Sequence, residues 1–340
     1  MKLAKSFKIE NKKISEVSPV FIIAEIGVNH GGSKSKCAKL INEAYKSGAD
    51  AVKLQIANPH HSYAKNHSSF KEFENKFLSN ENLASLINYA KSLGLPMFAT
   101  PGDFHSLKRV VSLKMPAIKI SSGLLTNLPL IKEASKAGVP IILSTGMSYL
   151  QEVHEAVNVC KLNQKRIAIL KCTSMYPAPI KFLNLKGINK FKKIFKVPVG
   201  YSDHALGIDA AISAVAFGAK IIEKHFTLDK FSKGADHKIS IEPKEFKEMV
   251  KKIRNSEVML GNANLIPTKE EIRNRKYNLR KLVTLNKISK GEKITINNIS
   301  LKRIKSRKKG ILPKNFYKVI GKRASKNLKN EEVLSLSDLL

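Results

Sequence analysis

The chain of 340 residues contains no tryptophan and only three cysteines, and it has few acidic side chains. Cys37, Cys160 and Cys172 are scattered and form no CxxC pair, which argues against a disulfide framework and favours a reducing cytoplasm. Long hydrophobic runs are also missing, because the apolar stretch Val20–Val28 is too short to span a bilayer and contains Glu25. The N-terminus is too charged for a signal peptide. We therefore expect a cytoplasmic protein that is not exported and does not bind a membrane.

Positive charge is the most abundant feature, with 61 Lys and Arg against 27 Asp and Glu and a net charge of +34. Lysines are spread along the chain, and the densest run, Leu301–Gly310, has no interleaved aromatic residues. No helix-turn-helix, zinc-finger or RNA-binding aromatic motif accompanies the charge, so we expect no nucleic-acid partner. The excess is expected on a solvated surface, where its field can help to recruit an anionic small substrate.

Eight apolar, β-type runs alternate with segments in which apolar residues recur at i, i+3, i+4 and i+7. Eight such units over about 250 residues predict an α/β fold of the (β/α)8 TIM-barrel type. A doubly wound sheet fits less well, because the first turn lacks a GxGxxG fingerprint. The predicted strands are Val20–Val28, Ala51–Gln55, Pro96–Ala99, Ala117–Ile120, Val139–Leu143, Ile167–Lys171, Pro198–Tyr201 and Ala219–Phe226.

The composition changes after Gly261, which predicts a second domain. Residues 1–262 are assigned to the barrel and residues 263–280, which are polar, to a linker. Residues 281–340 contain short β-like pieces separated by turns and form a small β-rich domain. Such a domain is too small for an extensive core, so we expect it to pack on another surface.

Polar residues stand at the end of every predicted strand, where the active site of a barrel lies. Because strand side chains alternate, residues two apart share a face. Three such pairs are Lys53 with Gln55, Ser202 with His204, and Glu223 with His225. Asp203 falls on the opposite face from Ser202 and is expected to be a structural partner and not a catalyst.

Two inward histidines on neighbouring strands, His204 and His225, can approach one metal ion together. Imidazoles without thiolates suit a divalent first-row ion and leave coordination positions for water and substrate. Such an ion can act as a Lewis acid on a carbonyl. For each histidine alone, and for the Asn29–Gly32 segment, a hydrogen-bonded turn is the alternative interpretation.

Two inward lysines, Lys53 and Lys119, are costly in a barrel interior unless an anion accompanies them. Hydroxyl groups at neighbouring strand ends are candidate donors to phosphate or carboxylate. These hydroxyls belong to Thr100, Ser122, Ser144 and Ser202.

Seven motifs in order, "AEIGVNHGG", "AVKLQ", "IKISSG", "IILSTGM", "CTSMYPAP", "GYSDHALG" and "IEKHFT", resemble those of the sialic acid synthase family. The tail, with "KLVTLNKISKGEKIT" and "NISLKRI", resembles the antifreeze-like (SAF) domain of that family. The resemblance implies a transferase that condenses phosphoenolpyruvate with an N-acetylated hexosamine, N-acetylmannosamine or a related sugar. The products are phosphate and a nine-carbon 2-keto-3-deoxy acid.

The resemblance also implies roles for individual residues. His204 and His225 would bind Mn²⁺, with Mg²⁺ or Co²⁺ as alternatives, and Glu25 is the preferred acid/base candidate. Phosphoenolpyruvate would be held by Lys53, Thr100, Lys119, Ser122, Ser144, Ser174 and Ser202. The sugar would be contacted by Glu25, Tyr176, Asp236 and Arg303. Arg303 would reach the partner's barrel in a homodimer whose small domains cap the neighbouring subunits.

One departure from the family pattern bears on the acceptor. Many relatives have an acidic sugar contact where this chain has Leu124, which cannot accept a hydrogen bond from a hydroxyl. A diacetamido trideoxyhexose, as in legionaminic acid biosynthesis, is therefore an alternative acceptor. A phosphoenolpyruvate-condensing or aldolase-like barrel with another acceptor is a further alternative. The presence of Lys53, His204 and His225 together argues against a further alternative, a catalytically inactive polysaccharide-assembly module.

Overall fold

The computed structural model describes residues 2–161, 165–306 and 308–340. It divides the chain into two compact units, Met1–Gly261 and Asn262–Leu340. The first unit carries the predicted barrel, and the second carries the β-rich tail.

Eight parallel strands close into a barrel in the order β10, β3, β4, β5, β6, β7, β8, β9, which confirms the predicted (β/α)8 fold. All eight predicted strands are present, and no strand end is shifted by more than two residues. The strands of the first unit are β1 (Phe7–Ile9), β2 (Lys12–Ile14), β3 (Phe21–Gly27), β4 (Ala51–Ile56), β5 (Met97–Pro101), β6 (Ile118–Ile120), β7 (Ile141–Ser144), β8 (Ile167–Cys172), β9 (Val199–Asp203) and β10 (Ile221–His225).

The longer helices cover the outside of the barrel and bury an apolar face against it, whereas the one-turn helix Pro59–Ser62 buries none of its residues. In α1, the Ser33 side chain accepts a hydrogen bond from the Lys36 amide and so begins the helix. Its buried residues are Cys37, Leu40, Ile41 and Ala44, which follow the helical spacing. The helices of this unit are α1 (Lys34–Lys46), α2 (Pro59–Ser62), α3 (Ser68–Glu74), α4 (Asn80–Ser92), α5 (Phe104–Ser112), α6 (Leu128–Ser135), α7 (Leu150–Lys161), α8 (Gly187–Phe195), α9 (Asp209–Ala216) and α10 (Pro243–Leu260).

A hairpin of β1 and β2 precedes the barrel and was not predicted. Phe7, Ile9 and Ile14 are buried in the same core as the barrel strands. The Ala4 amide donates to the Lys165 carbonyl, 2.9 Å away and just before β8, so the hairpin lies at the N-terminal end of the barrel. Its strands of three residues stand among lysines and are too short to show a periodic pattern, so no local signal predicts them.

The second unit is built around its own small core. Strands β11 (Lys281–Thr284) and β12 (Ile299–Lys302) pair antiparallel, and a short helix, α12 (Phe316–Val319), follows. The buried core residues include Leu282, Ile288, Ile294, Ile299, Val319, Leu328 and Leu334.

The segment predicted as a linker contains a helix, α11 (Lys269–Asn278). Thr268 and Glu271 form a capping box, a start signal that the uniformly polar composition obscured. None of the residues of α11 is buried, so no apolar periodicity marked the helix.

Within the described residues, no helix combines the length and the apolar character needed to cross a bilayer.

A buried ion pair joins neighbouring barrel strands on their outward face. Asp203 Oδ2 and Lys224 Nζ are 2.8 Å apart, and both side chains are fully inaccessible to solvent. The Ala205 amide donates to Asp203 Oδ1 at 2.9 Å, and Lys224 also donates to the Ala205 carbonyl. Asp203 is therefore a structural partner that holds the start of the loop after β9.

We expect Lys224→Met to lower the free energy of unfolding by about 3–5 kcal/mol, because it leaves the Asp203 carboxylate buried and unpaired. The control is Lys252→Met, which removes an exposed ion pair with Glu248 and should leave the free energy of unfolding almost unchanged, because solvent screens such a pair. Urea unfolding monitored by circular dichroism measures both changes. Equal losses in the two variants would contradict this account of the buried pair.

Candidate active site

A cavity of 400 Å³ opens at the C-terminal ends of the barrel strands. It is lined by side chains from all eight strands or the turns directly after them. Among the predicted site residues, those lining the cavity are Glu25, Lys53, Thr100, Lys119, Ser122, Ser144, Ser174, Tyr176, Ser202, His204 and His225. The two others are not among the lining residues. Asp236 lies beside the cavity, with its Oδ2 3.7 Å from His225 Nδ1, and Arg303 is an exposed residue of the second unit.

Lys53 lies between two carboxylates at the base of the cavity. Its ammonium is 2.9 Å from Glu25 Oε2 and 3.5 Å from Glu223 Oε2, and it donates to Thr100 Oγ1 at 3.0 Å. Lys53 is only 3% exposed, so these contacts are made away from solvent. The anion that the sequence required near this lysine is thus supplied by the protein itself.

Glu223 links the second lysine to the same network. Lys119 Nζ lies 3.3 Å from Glu223 Oε1, and the Ser202 hydroxyl donates to that oxygen at 2.8 Å. Glu223 was not among the predicted site residues. The available signal was its position two residues before His225, which places both side chains on the inward face of β10.

The two carboxyl groups differ in acidity because their surroundings differ. Burial raises the pKa of Glu25 to about 6, since it outweighs the opposing attraction of Lys53. Burial also opposes ionisation of Glu223, but Lys119 and Lys53 together lower its pKa to about 2. Neighbouring carboxyl groups with separated pKa values are typical of sites that transfer protons. Here Glu25 is the group whose pKa lies closer to neutral pH.

Space around Glu25 depends on a glycine at the end of β3. Gly27 has a φ of +54° and lies at a register shift in the pairing of β3 with β4. A Cβ there would lie 3.2 Å from Asp236 Oδ2 and 3.4 Å from both Gln55 Nε2 and Glu25 Oε1. Gln55 donates to Glu25 Oε1 at 2.9 Å, so Gly27 leaves room for three polar groups to meet.

Hydroxyl groups line the side of the cavity opposite Glu25. Ser144 Oγ is buried and has no hydrogen-bond partner among the described residues, so it is available to a ligand. Ser122 Oγ accepts a hydrogen bond from the Gly146 amide at 2.9 Å. A Cβ at Gly146 would overlap the Ser174 hydroxyl and lie 2.8 Å from Ser122 Oγ. The glycine therefore keeps both serine hydroxyls in place.

The two predicted histidines lie together on the wall formed by β9 and β10, with ring centroids 5.4 Å apart. His204 Nδ1 is 3.1 Å from the Thr173 carbonyl and 3.7 Å from Cys172 Sγ, while its Nε2 is 3.3 Å from the Tyr176 hydroxyl. The Tyr176 ring stacks on His204 at 4.3 Å between centroids. Tyr176 thus covers the histidine pair on the cavity side.

These residues fit a divalent cation in their donor chemistry. If Nδ1 of His204 donates to the carbonyl, its Nε2 carries the lone pair, which faces the Tyr176 hydroxyl at 3.3 Å. His225 Nδ1 is buried without a hydrogen-bond partner among the described residues, and burial lowers its pKa to about 4, which keeps the ring neutral. The described residues contain no cluster of three or more metal-binding side chains. An ion here would rely on two imidazoles, with water or substrate as further ligands.

One wall of the cavity is largely apolar and was not predicted. Tyr63 and Phe73, from the segment containing α2 and α3, face the cavity together with Leu124 and Met147. Apart from Leu124, no sequence pattern marks this wall, because its residues come from loops whose folding over the barrel depends on tertiary packing.

The Asn29–Gly32 segment forms a turn. Asn29 Nδ2 donates to the Phe226 carbonyl and to Ser240 Oγ, both at 3.0 Å, and the Gly32 amide donates to His30 Nδ1 at 3.0 Å. Neither side chain lines the cavity. Of the two interpretations left open by the sequence, the hydrogen-bonded turn matches these contacts.

The fold and the cavity are those of a (β/α)8-barrel enzyme, with buried ammonium and carboxylate groups at the ends of the strands. The chain belongs to the NeuB family, whose pattern matches residues 40–264, and residues 280–340 match the SAF domain.

Named relatives are similar over almost their whole length. N,N'-diacetyllegionaminic acid synthase of Campylobacter jejuni is 39% identical, over 92% of this chain and 98% of the relative. N-acetylneuraminate-9-phosphate synthase of Homo sapiens is 31% identical, over 93% of this chain and 91% of the relative. The crystal structure of the sialic acid synthetase of Leptospira borgpetersenii in complex with citrate has a TM-score of 0.76 at 33% identity, and covers 81% of this chain and 97% of that one.

The raised pKa of Glu25 predicts a measurable pH dependence of stability. The folded-state pKa of about 6 lies above the reference value of 4.5, so the protonated group favours folding. The contribution of Glu25 to the free energy of unfolding is complete below pH 4.5 and is lost as the pH rises through about 6. The free energy of unfolding then falls by about 2 kcal/mol.

Glu25→Gln cannot titrate at this position, so its free energy of unfolding should lack the pH-dependent change that Glu25 produces. Urea unfolding at several pH values between 4 and 8 compares it with the wild type, and surface Glu133→Gln is the control. Parallel pH profiles for the wild type and Glu25→Gln would show that Glu25 titrates normally in the folded protein.

Proposed function

We propose that this protein is a nonulosonic (sialic) acid synthase. It condenses phosphoenolpyruvate with the open-chain aldehyde of an N-acetylated hexosamine, N-acetylmannosamine or a related sugar, to give a nine-carbon 2-keto-3-deoxy acid and phosphate. The observation that carries the proposal is the network of Glu25, Lys53, Glu223 and Lys119 at the base of the cavity. Its family membership, among relatives named as synthases of such acids, supports the same reaction.

In this reaction C3 of phosphoenolpyruvate forms a bond to the aldehyde carbon, whose oxygen gains a proton. Water adds at C2, and the bond between C2 and the phosphate oxygen breaks, so phosphate leaves. The site must therefore hold a phosphate and a carboxylate, and it must move protons. Positioned cations and donors stabilise the charges that develop.

Lys119 is the cation best placed to receive the anionic substrate. Its ammonium has three donors, and among the described residues its one ion-pair partner is Glu223 at 3.3 Å. Lys53, by contrast, already faces Glu25, Glu223 and Thr100. Further donors to phosphate and carboxylate are the hydroxyls of Thr100, Ser122, Ser144, Ser174 and Ser202, of which Ser144 is unpaired among the described residues.

Glu25 acts as the acid/base group in this proposal. Its pKa of about 6 allows it to give and take a proton near neutral pH. Gln55 and Lys53 fix its two oxygens, and Asp236 lies next to it across Gly27. This end of the cavity would hold the acceptor sugar, with Tyr176 and Asp236 as contacts.

His204 and His225 would hold a divalent metal ion, Mn²⁺ with Mg²⁺ or Co²⁺ as alternatives. Such an ion supplies Lewis-acid polarisation of the aldehyde carbonyl when bound. The buried Nδ1 of His225, which has no hydrogen-bond partner in the described part of the chain, supports this role for the pair.

A second candidate acceptor is a 2,4-diacetamido-2,4,6-trideoxyhexose, which would make the protein a legionaminic acid synthase. The apolar wall of Leu124, Met147, Tyr63 and Phe73 favours it, because this wall suits a methyl group better than a hydroxyl. The C. jejuni relative named above is a synthase for that acid.

A homodimer in which each second unit caps the partner's barrel completes the proposal. The loops after β7 to β10 expose apolar side chains that a partner would cover. These are Met147, Tyr149, Ile180, Phe182, Leu206 and Phe231. Arg303, exposed on the second unit, would reach the N-acyl group of the acceptor bound in the partner.

The decisive assay incubates the purified protein with phosphoenolpyruvate, Mn²⁺ and a panel of acceptors, and measures phosphate release and product mass. The panel contains N-acetylmannosamine, other N-acyl hexosamines and diacetamido trideoxyhexoses. We expect one acceptor class to give a nine-carbon keto acid with one phosphate per product. A preference for the trideoxy sugars would select the second candidate, and no product with any acceptor would reject the synthase assignment.

His225→Ala should weaken Mn²⁺ binding by at least about tenfold, because loss of a direct ligand exceeds the effect of an outer-shell change. Mn²⁺ binding is measured by electron paramagnetic resonance, and circular dichroism checks the fold. His154→Ala, an exposed histidine on α7, is the control. Wild-type Mn²⁺ affinity in His225→Ala would remove the histidine pair from consideration as the metal site.

A further inference from the structure

The second unit contains a cavity of about 1050 Å³, and none of its lining residues lines the barrel site. It lies between α11 and the segment that follows β12, and all of its lining residues belong to this unit. They are Arg275, Lys276, Tyr277, Leu279, Lys281, Lys305, Ser306, Lys308, Lys309, Gly310 and Leu312. Nothing in the proposed synthase reaction uses this cavity.

Six of the lining side chains are cationic, and none of the described lining residues is acidic. Lys308 is neutralised by Glu332 at 3.2 Å and Asp338 at 2.6 Å. The other five form no ion pair with a carboxylate in the described part of the chain. Like charges gathered around one space favour an anion within it.

Lys281 is the strongest single indication, because it is only 7% exposed. Among the described residues, its ammonium contacts the carbonyl oxygens of Ser306 and Lys308, each at 3.4 Å, which is beyond the usual hydrogen-bond length. An ammonium has three donors, and burial without a counter-charge is costly. A bound anion would provide that counter-charge.

The backbone is shaped to place this lysine. A Cβ at Gly310 would lie 2.8 Å from Lys281 Cδ and would also overlap Val333 Cγ1. Glycine at this position therefore leaves the channel that the lysine stem occupies. A purely structural role, in which Lys281 holds the Ser306 and Lys308 carbonyls, would leave the cations of α11 unexplained.

An apolar surface completes the cavity. Tyr277, Leu279 and Leu312 line it together with the lysines. A ligand with both negative charges and an aromatic part matches this combination, because the ring can stack on Tyr277 while the charges meet the ammonium groups.

We propose that this cavity binds a nucleoside diphosphate or triphosphate. Its phosphates lie at Lys281 and the neighbouring cations, and its base packs against Tyr277. Phosphate oxygens satisfy the free donors of the buried ammonium by charge-assisted hydrogen bonds.

The absence of tryptophan allows a direct test in the full-length protein. Tyr277→Trp places the one tryptophan of the chain in the cavity, where it can be excited selectively, and keeps an aromatic ring there. Tyr317→Trp, at an exposed position outside the cavity, is the reporter control. We expect ADP to change the fluorescence of Tyr277→Trp along a saturable curve and to leave that of Tyr317→Trp unchanged.

Added to Tyr277→Trp, Lys281→Met should weaken ADP binding by at least about tenfold, because a hydrogen-bonded charge is lost. Lys318→Met, an exposed lysine outside the cavity, should not change it. If Lys281→Met does not fold, Lys305→Gln with Lys309→Gln removes two exposed cations of the lining instead. We expect that pair to weaken binding as well.

Three results would overturn the proposal. They are no saturable response to ADP, equal binding of ADP and adenosine, and equal affinities in the Lys281→Met (or paired glutamine) and Lys318→Met variants. The last would show that the diffuse charge of the chain binds the nucleotide. Because the titration involves no turnover, its outcome is independent of the synthase assay.

Discussion

The candidate site depends on a constraint of charge burial, since two ammonium groups and two carboxylates share the closed end of the cavity. Lys53 lies between Glu25 and Glu223, and Glu223 also faces Lys119. Neither lysine could stay charged there alone, because an unpaired ion in a protein interior is unstable. Two lysines keep the shared carboxylate of Glu223 ionised, whereas the pKa of Glu25 lies near neutral pH. One electrostatic arrangement thus holds the site together and sets its proton chemistry.

Alternation along the strands separates chemistry from support. Ser202 and His204 face the cavity, while Asp203 between them pairs with Lys224 on the outer face. The same holds on β10, where Lys224 stands between Glu223 and His225. Adjacent residues therefore serve different purposes, and the buried outer pair fixes the two strands that carry the histidines.

Glycines give the polar groups their room. Gly27 clears the space in which Glu25, Gln55 and Asp236 meet, and Gly146 does the same for Ser122 and Ser174. In the second unit, Gly310 leaves the channel for Lys281. In each case the missing Cβ allows a titratable or hydroxyl side chain to be held without overlap, so the backbone contributes to the sites as directly as the side chains.

The sequence alone determined the barrel, since eight apolar runs in alternation with helical periodicity have few other solutions. It also determined which strand-end residues face inward, because period two is a local property: Lys53, Ser202, His204 and His225 all line the cavity. Only the tertiary structure decided how those charges are paired, because Lys53 contacts Glu25 and Glu223 from strands that are far apart in the chain. The apolar wall of Tyr63 and Phe73, the helix α11 and the cationic cavity around Lys281 likewise depend on how loops and helices pack, which no local period encodes.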